Sequence, residues 1–127
     1  MIYTVTFNPA LDYVMKVEKL RFDDINRTYG EELNYGGKGI NVSAVLSQLG
    51  VENTALGFKA GFTGEKLEQL LREDGINAEF IPLKSGMTRI NVKIRSETEL
   101  DINACGPPID GGEVEKLFER LKTLSAG

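Results

Sequence analysis

Three glycines and a lysine stand directly ahead of an amphipathic run in NYGGKGINVS, residues 34–43. Glycine lets a ligand come close to main-chain N–H groups, and the unpaired donors of a helix N-terminus attract an anion or a hydroxyl-rich ligand. Lys38 adds a mobile positive charge. The same glycines would also serve a tight strand-to-helix turn with no ligand at all. Neither standard nucleotide loop fits. Lys38 is followed by Gly39 where a Walker loop needs Ser or Thr for magnesium, and GGKGIN lacks the G-x-G-x-x-G spacing. Other polar residues can converge on the glycines. Asp12 follows the first predicted strand and would sit at the carboxyl edge of a parallel sheet, where α/β ligands bind. Asn41 lies in the first turn after the glycines. Asp and Asn pair well with sugar hydroxyls, while Arg27, Lys38 and Arg89 could hold a phosphate, the arginines as bidentate forks. Together they describe a sugar phosphate, although each charge taken singly also suits a solvated surface.

Composition narrows the chemistry. The 127 residues hold no histidine and one cysteine, Cys105, so a Ser/His/Asp triad, a zinc site and an internal disulfide are all disfavoured. Cys105, beside two prolines in NACGPP, reads as a small packing residue. Fifteen basic against nineteen acidic residues give a net charge of −4, which offers no field for nucleic acid or an anionic membrane. MIYTVTFNPALD has no positive n-region and too short an apolar run for a signal peptide or a span. A cytoplasmic chain is expected, with no metal held by these residues.

The elements that must position these groups follow from patterning. IYTVTF reads as a buried strand that stops at the NPA turn. DYVMKVEKL and NRTYGEELNY flank the polar turn RFDDI as a hairpin, at about residues 12–35. Ile40, Val42, Val45, Leu46 and Leu49 recur near helical spacing up to Gly50. NTALGF is a strand, FTGEKLEQLLREDGI a helix with Leu67, Leu70 and Leu71 on its stripe, and AEFIPL a third strand. MTRINVKIR alternates, with Thr88, Ile90, Val92 and Ile94 on one face and Arg89, Asn91, Lys93 and Arg95 on the other, and returns through LDINACG as a second hairpin, about 87–104. Asp110 and Glu113 open a last helix in capping-box style, with Val114, Leu117, Phe118, Leu121 and Leu124 as its stripe. The order implies a single α/β unit over residues 1–127: a mainly parallel sheet flanked by helices, with the hairpins as a lid. Three core strands make an unusually small parallel sheet, which suggests a truncated chain.

TFNPALD, GGKGINVS, GFTGE and TRINVK, in this order, resemble the N-terminal part of the PfkB, or ribokinase-like, carbohydrate kinases, most nearly the 1-phosphofructokinase and tagatose-6-phosphate kinase branch. The resemblance runs from Met1 to about Pro108. It implies a ribokinase-like fold whose β-sheet lid closes on the sugar and pairs with a second subunit's lid as a homodimer. It implies that Asp12, Gly36, Gly37 and Asn41 bind the sugar hydroxyls, and that Lys38, Arg89 and Arg27 face its phosphate. The implied reaction is ATP-dependent phosphorylation of a ketose phosphate with magnesium, fructose 1-phosphate giving fructose 1,6-bisphosphate, or tagatose 6-phosphate as the alternative acceptor. The family's catalytic aspartate lies in a GAGD-type motif that this sequence lacks, along with the nucleotide-binding half. No catalytic residue is therefore expected here, and no ATP is expected on this fragment. A non-catalytic sugar-binding or lid-dimerisation module is the other reading. One departure is GFKAGFTG, where Lys59 and Ala60 replace an expected apolar residue and glycine, putting close backbone approach there in doubt.

Overall fold

The computed structural model describes residues 1–126. Its elements are β1 (Ile2–Thr6), β2 (Ala10–Lys16), β3 (Gly30–Gly36), α1 (Lys38–Gln48), β4 (Asn53–Lys59), α2 (Gly61–Glu73), β5 (Ala78–Pro82), β6 (Arg89–Arg95), β7 (Glu99–Ile102) and α3 (Gly111–Lys122). They form two sheets. The first is all parallel in the order β1-β4-β5. Its middle strand β4 is buried from Asn53 to Phe58, as a parallel strand covered on both faces should be. Alternation along β4 splits the core. Ala55 joins Ile40, Leu67, Leu71, Ile76 and Phe80 in one cluster, while Leu56 and Phe58 join Leu117 of α3 in another. Helices therefore cover both faces, and the α/β expectation holds.

The second sheet, in the order β3-β2-β6-β7, is formed by the two hairpins expected as a lid and is called the lid sheet. The sequence pattern shows two hairpins, β2–β3 and β6–β7, but not how they meet. In the structure they are fused by a parallel pairing of β2 with β6, with Asp12 opposite Asn91. Register sorts the residues by face. Leu11, Tyr13 and Met15 lie level with Ile90, Val92 and Ile94, and with Tyr35 and Leu33 on the other side. The opposite face carries Asp12, Asn34 and Asn91 in one row, and Ala10, Gly36 and Arg89 in another. One face is apolar and the other polar, a division that sets two tasks for one sheet.

Two helical stripes differ from expectation. Ile40 and Ser43 are the buried residues of α1, and Ser43 shares a buried 2.7 Å hydroxyl hydrogen bond with Thr4 of β1. Val42, Val45 and Leu49, predicted for the apolar stripe, are 52%, 54% and 72% exposed. The reason is that β1 is the edge of the parallel sheet, and among the described residues no strand beyond it receives the outer half of the stripe. Ile2 and Val5 of β1 are exposed on the same account. In α3, Leu117 is buried and Phe118 lies at the surface. The capping box at its start is complete: Glu113 N–H donates to Asp110 Oδ1 at 2.8 Å, and Asp110 N–H donates to Glu113 Oε1 at 3.1 Å. Glu113 Oε2 also accepts from Lys84 N–H at 3.0 Å, tying α3 to the loop after β5. No helix among the described residues is long and apolar enough to cross a membrane.

Candidate functional site

Where β3 ends and α1 begins, the chain needs glycine for reasons that can be separated. Gly37 is the N-cap of α1 with φ 129°, a left-handed value in which a side chain is strained, and an added Cβ would also press on Thr6 Cγ2 at 2.9 Å. A Cβ on Gly39 would collide with Thr6 Oγ1 and the Val5 carbonyl, so Gly39 lets α1 pack tightly against β1. These two glycines serve the turn and the helix–strand contact. Gly36 differs. The nearest atoms to its absent side chain are the carboxylate oxygens of Asp12, Oδ2 at 2.6 Å and Oδ1 at 2.8 Å. The acid lies over bare backbone at the mouth of α1.

The helix end itself is open. No side chain caps α1, and no acidic residue occupies its first turn, so its N-terminal donors and the positive end of its dipole are uncompensated. Lys38 and Asn41, in that first turn, are exposed, and neither side chain has a hydrogen-bond partner among the described residues. Arg89 starts β6 in register with Ala10 and Gly36 across β2. Its Nη1 donates to the Ala104 carbonyl at 3.2 Å, while its Nε–H is buried with no partner. A guanidinium with an unused buried donor suits an incoming anionic oxygen.

The register thus sets Asp12, Gly36 and Arg89 on one face of the sheet at the end from which Gly37, Lys38 and Asn41 open α1. Arg27 is not brought with them. It lies in the loop between β2 and β3, and from Asp12 to the end of β2 at Lys16 the strand already runs about 13 Å away from the site. Lys93 and Arg95 share the polar lid face but are matched. Lys93 reaches Asp101 at 3.5 Å and Arg95 reaches it at 3.0 Å, and the hydrogen bond from Arg95 holds the Asp101 carboxyl below its usual range. Lys16 is likewise joined to Glu32 at 2.8 Å.

Two polar residues outside the sequence-derived set also prove central. Asn91 is 7% exposed and donates from Nδ2 to Asp12 Oδ1 at 3.2 Å. Its place on the polar face of TRINVK was visible in the alternation, but its partner required the β2–β6 pairing. Thr88 is buried and fixes the lid to α2. Its Oγ1 accepts from Ala60 N–H at 3.0 Å, its N–H donates to the Ala60 carbonyl at 2.9 Å, and its carbonyl accepts from Thr63 Oγ1 at 2.7 Å.

The chain as a whole is similar to known proteins. Residues 5–126 match the model of the pfkB family carbohydrate kinases. The chain is 42% identical over its whole length to a 1-phosphofructokinase from Bacillus subtilis, of which it covers 42%. It is 39% identical, again over its whole length, to a D-tagatose-1-phosphate kinase from Bacillus licheniformis, covering 41% of that protein. The crystal structure of phosphofructokinase-2 from Escherichia coli in complex with fructose-6-phosphate superposes with a TM-score of 0.91 at 27% identity, over 99% of this chain and 42% of that one. The chain therefore spans about two fifths of the length of the relatives it matches. From its motifs, its fold and a family match over nearly all its residues, the chain belongs to the pfkB family of carbohydrate kinases.

Proposed function

We propose that this chain is the acceptor-binding part of an ATP-dependent ketose-phosphate kinase, the complete enzyme converting fructose 1-phosphate to fructose 1,6-bisphosphate. One observation carries the reading: an acid, Asp12, rests on bare backbone at Gly36, beside an uncapped helix start flanked by the unpaired Lys38 and by Arg89 with its unused buried donor. Asp12 accepts hydrogen bonds from the sugar hydroxyls, and Asn41 can both accept from them and donate to them. Lys38, Arg89 and the α1 N-terminus hold the phosphate already on the sugar, as point charge, fork and dipole respectively. Among the described residues no grouping of three or more His, Cys, Asp or Glu could hold a metal ion, and neither glycine motif fits a nucleotide loop. From the resemblance, and because the chain spans about two fifths of its relatives, we infer that ATP, magnesium and the proton-accepting aspartate are held by other parts of the complete enzyme. When bound, ATP with magnesium supplies the phosphoryl group that the sugar hydroxyl takes up. The residues present bind and orient that hydroxyl.

Calorimetric titration of the 127-residue chain with fructose 1-phosphate, tagatose 6-phosphate, unphosphorylated fructose and ATP tests this reading. Fructose 1-phosphate is expected to bind and ATP is not, and tagatose 6-phosphate binding more tightly would exchange the acceptor. In Arg89→Ala the ketose phosphate should lose about 30-fold in affinity, the equivalent of about 2 kcal/mol for a charge-assisted hydrogen bond, while fructose loses little. Equal losses for both ligands, or no sugar binding by the unaltered chain, would sink the assignment.

A homodimer through the lid is a second element of the proposal, favoured by the sheet's apolar face. Helix α2 covers only the Leu11 and Ile90 end, leaving a groove that includes Leu33 and Phe62, and Leu33, Leu100 and Ile102 are exposed. A second copy of the same face would bury them by sheet-on-sheet packing. Sedimentation equilibrium should give a dimer mass that falls to a monomer in Val92→Lys, and a monomer in the unaltered chain would remove the idea.

A further inference from the structure

The polarity of the hydrogen bonds around Asn91 is fixed from outside the site. Ala104 N–H, on the chain between β7 and α3, donates to Asn91 Oδ1 at 3.1 Å. A main-chain N–H can only donate, so this contact settles which end of the Asn91 amide carries oxygen. The other end, Nδ2, must then point its hydrogens at Asp12, whose Oδ1 accepts at 3.2 Å. An amide donor occupies one oxygen of a carboxylate and leaves the other free. The remaining oxygen, Oδ2, is the one closest to the vacant side-chain position of Gly36. Asp12 is thereby held with one oxygen tethered and the other presented over open backbone.

The same short segment serves the cationic side of the site. The Ala104 carbonyl accepts from Arg89 Nη1 at 3.2 Å, and the neighbouring Cys105 carbonyl accepts from Asn8 Nδ2 at 2.8 Å, on the turn between β1 and β2. Asn8 also fills the space against Gly106, where an added Cβ would clash with its amide. Main chain at residues 104–106 is therefore latched to the β1–β2 turn, and from that anchor one strut runs through Asn91 to the acid while another reaches the guanidinium.

We propose that Asn91 is a positioning residue for acceptor recognition. It transmits the fixed main chain at Ala104 to the carboxylate of Asp12, so that Oδ2 meets a sugar hydroxyl in one orientation. The inference rests on the acceptor-site reading above. Asp12 does the touching, and Asn91 acts through it. The charged groups on the same face of the sheet are Arg89 and Lys93 from β6, Glu32 from β3 and Asp101 from β7, the two acids being joined to Lys16 and to Lys93 and Arg95 respectively.

The test is the affinity of the 127-residue chain for fructose 1-phosphate, measured calorimetrically between pH 5 and pH 8 for the unaltered chain and for Asn91→Asp. This substitution keeps an acceptor for Ala104 N–H and sets a carboxyl beside Asp12. Two carboxyls at hydrogen-bond distance cannot both ionise cheaply, so the pair retains a proton to a higher pH than either would alone. At pH 8, with both ionised, the variant should bind about tenfold more weakly. As pH falls toward 5 a shared proton restores the donor to Asp12, and the affinity ratio of the two proteins should approach one. The ratio is the quantity to read, because titration of the ligand's own phosphate cancels in it. Asn91→Leu, checked for folding by circular dichroism, should show a loss that does not recover with pH. A ratio that is flat across pH, or a Asn91→Asp variant that binds like the unaltered chain at pH 8, overturns the positioning role. Failure of the unaltered chain to bind the sugar phosphate instead overturns the parent reading, and the two failures are told apart by that control.

Discussion

Helices α1 and α2 start at the same edge of the same parallel sheet, and neither is capped by a side chain, yet their first turns meet different surroundings. At α1 the chain arrives through Gly36 and Gly37, the adjacent lysine has no carboxylate partner among the described residues, and the nearest acid, Asp12, keeps an oxygen free. At α2 the main chain of the lid strand has moved in. Gly61, with φ 59°, would bring a Cβ to 3.1 Å from both the Gly86 carbonyl and Met87 Cβ, and Thr88 makes hydrogen bonds to Ala60 and Thr63. The adjacent lysine, Lys59, is held by Glu65 at 3.0 Å and Glu68 at 2.9 Å. Two helix N-termini therefore have different surroundings, because one is left open and the other is packed against the chain that leads into β6. Helix direction alone does not make an anion site. What its first turn already touches decides the matter.

The mount can be broken most severely at Thr88. Replacing it by valine keeps the shape and removes the hydroxyl that accepts from Ala60 N–H, leaving a donor buried at the end of β4 without a partner. Thr88→Val should cost about 2 kcal/mol in urea unfolding, the usual penalty for an orphaned buried donor. An unchanged unfolding midpoint would mean that the hydroxyl does not hold the lid. If lid placement sets the phosphate grip, sugar-phosphate affinity should fall in the same variant, because the next residue, Arg89, opens β6.

Much of this contrast was written in local patterns, and the rest was not. The glycines ahead of a helix, the strand in TRINVK and the capping box at Asp110 are short-range signals, and the structure carries a helix start, a strand and a capping box at those places. Asn91 was visible on the polar face of its strand, but its meaning depends on a parallel pairing between segments 79 residues apart, which no local pattern encodes. Gly37 was expected to make room for ligand. The structure shows that its φ and its contact with Thr6 already require glycine, and that Gly36 is the residue whose bareness serves the acid. Lys59 stood out in the sequence as a departure at the second glycine motif, and it takes its place through two glutamates that follow on α2 at helical spacing. The exposed stripe of Val42, Val45 and Leu49 could not be foreseen, since helical periodicity reports which residues want burial and not whether a neighbour is there to bury them.

The two lysines sharpen the contrast most finely. Lys38→Ala should weaken fructose 1-phosphate binding about tenfold, the effect of one lost charge-assisted contact, whereas Lys59→Met should leave that affinity within about twofold, since the charge of Lys59 is already matched by Glu65 and Glu68. Stability should respond in the opposite sense. Burial disfavours the charge on Lys59, but the hydrogen bonds and fields of Glu68 and Glu65 outweigh it, and the pKa is raised above the ordinary lysine value. A cation whose pKa is higher in the folded state contributes stability that is fully present below the unfolded value, about 10.4 for lysine, and lost as pH rises through the folded one. The stability difference between the unaltered chain and Lys59→Met, read by urea unfolding, should therefore be steady from neutral pH to about pH 10 and shrink above it. The comparison between two variants of one protein cancels the other groups whose raised pKa values act in the same range, Lys16 and the tyrosines Tyr13 and Tyr35. If instead Lys59→Met lost sugar-phosphate affinity as Lys38→Ala does, the α2 start would be part of the anion site, and the division of labour between the two helices would fail.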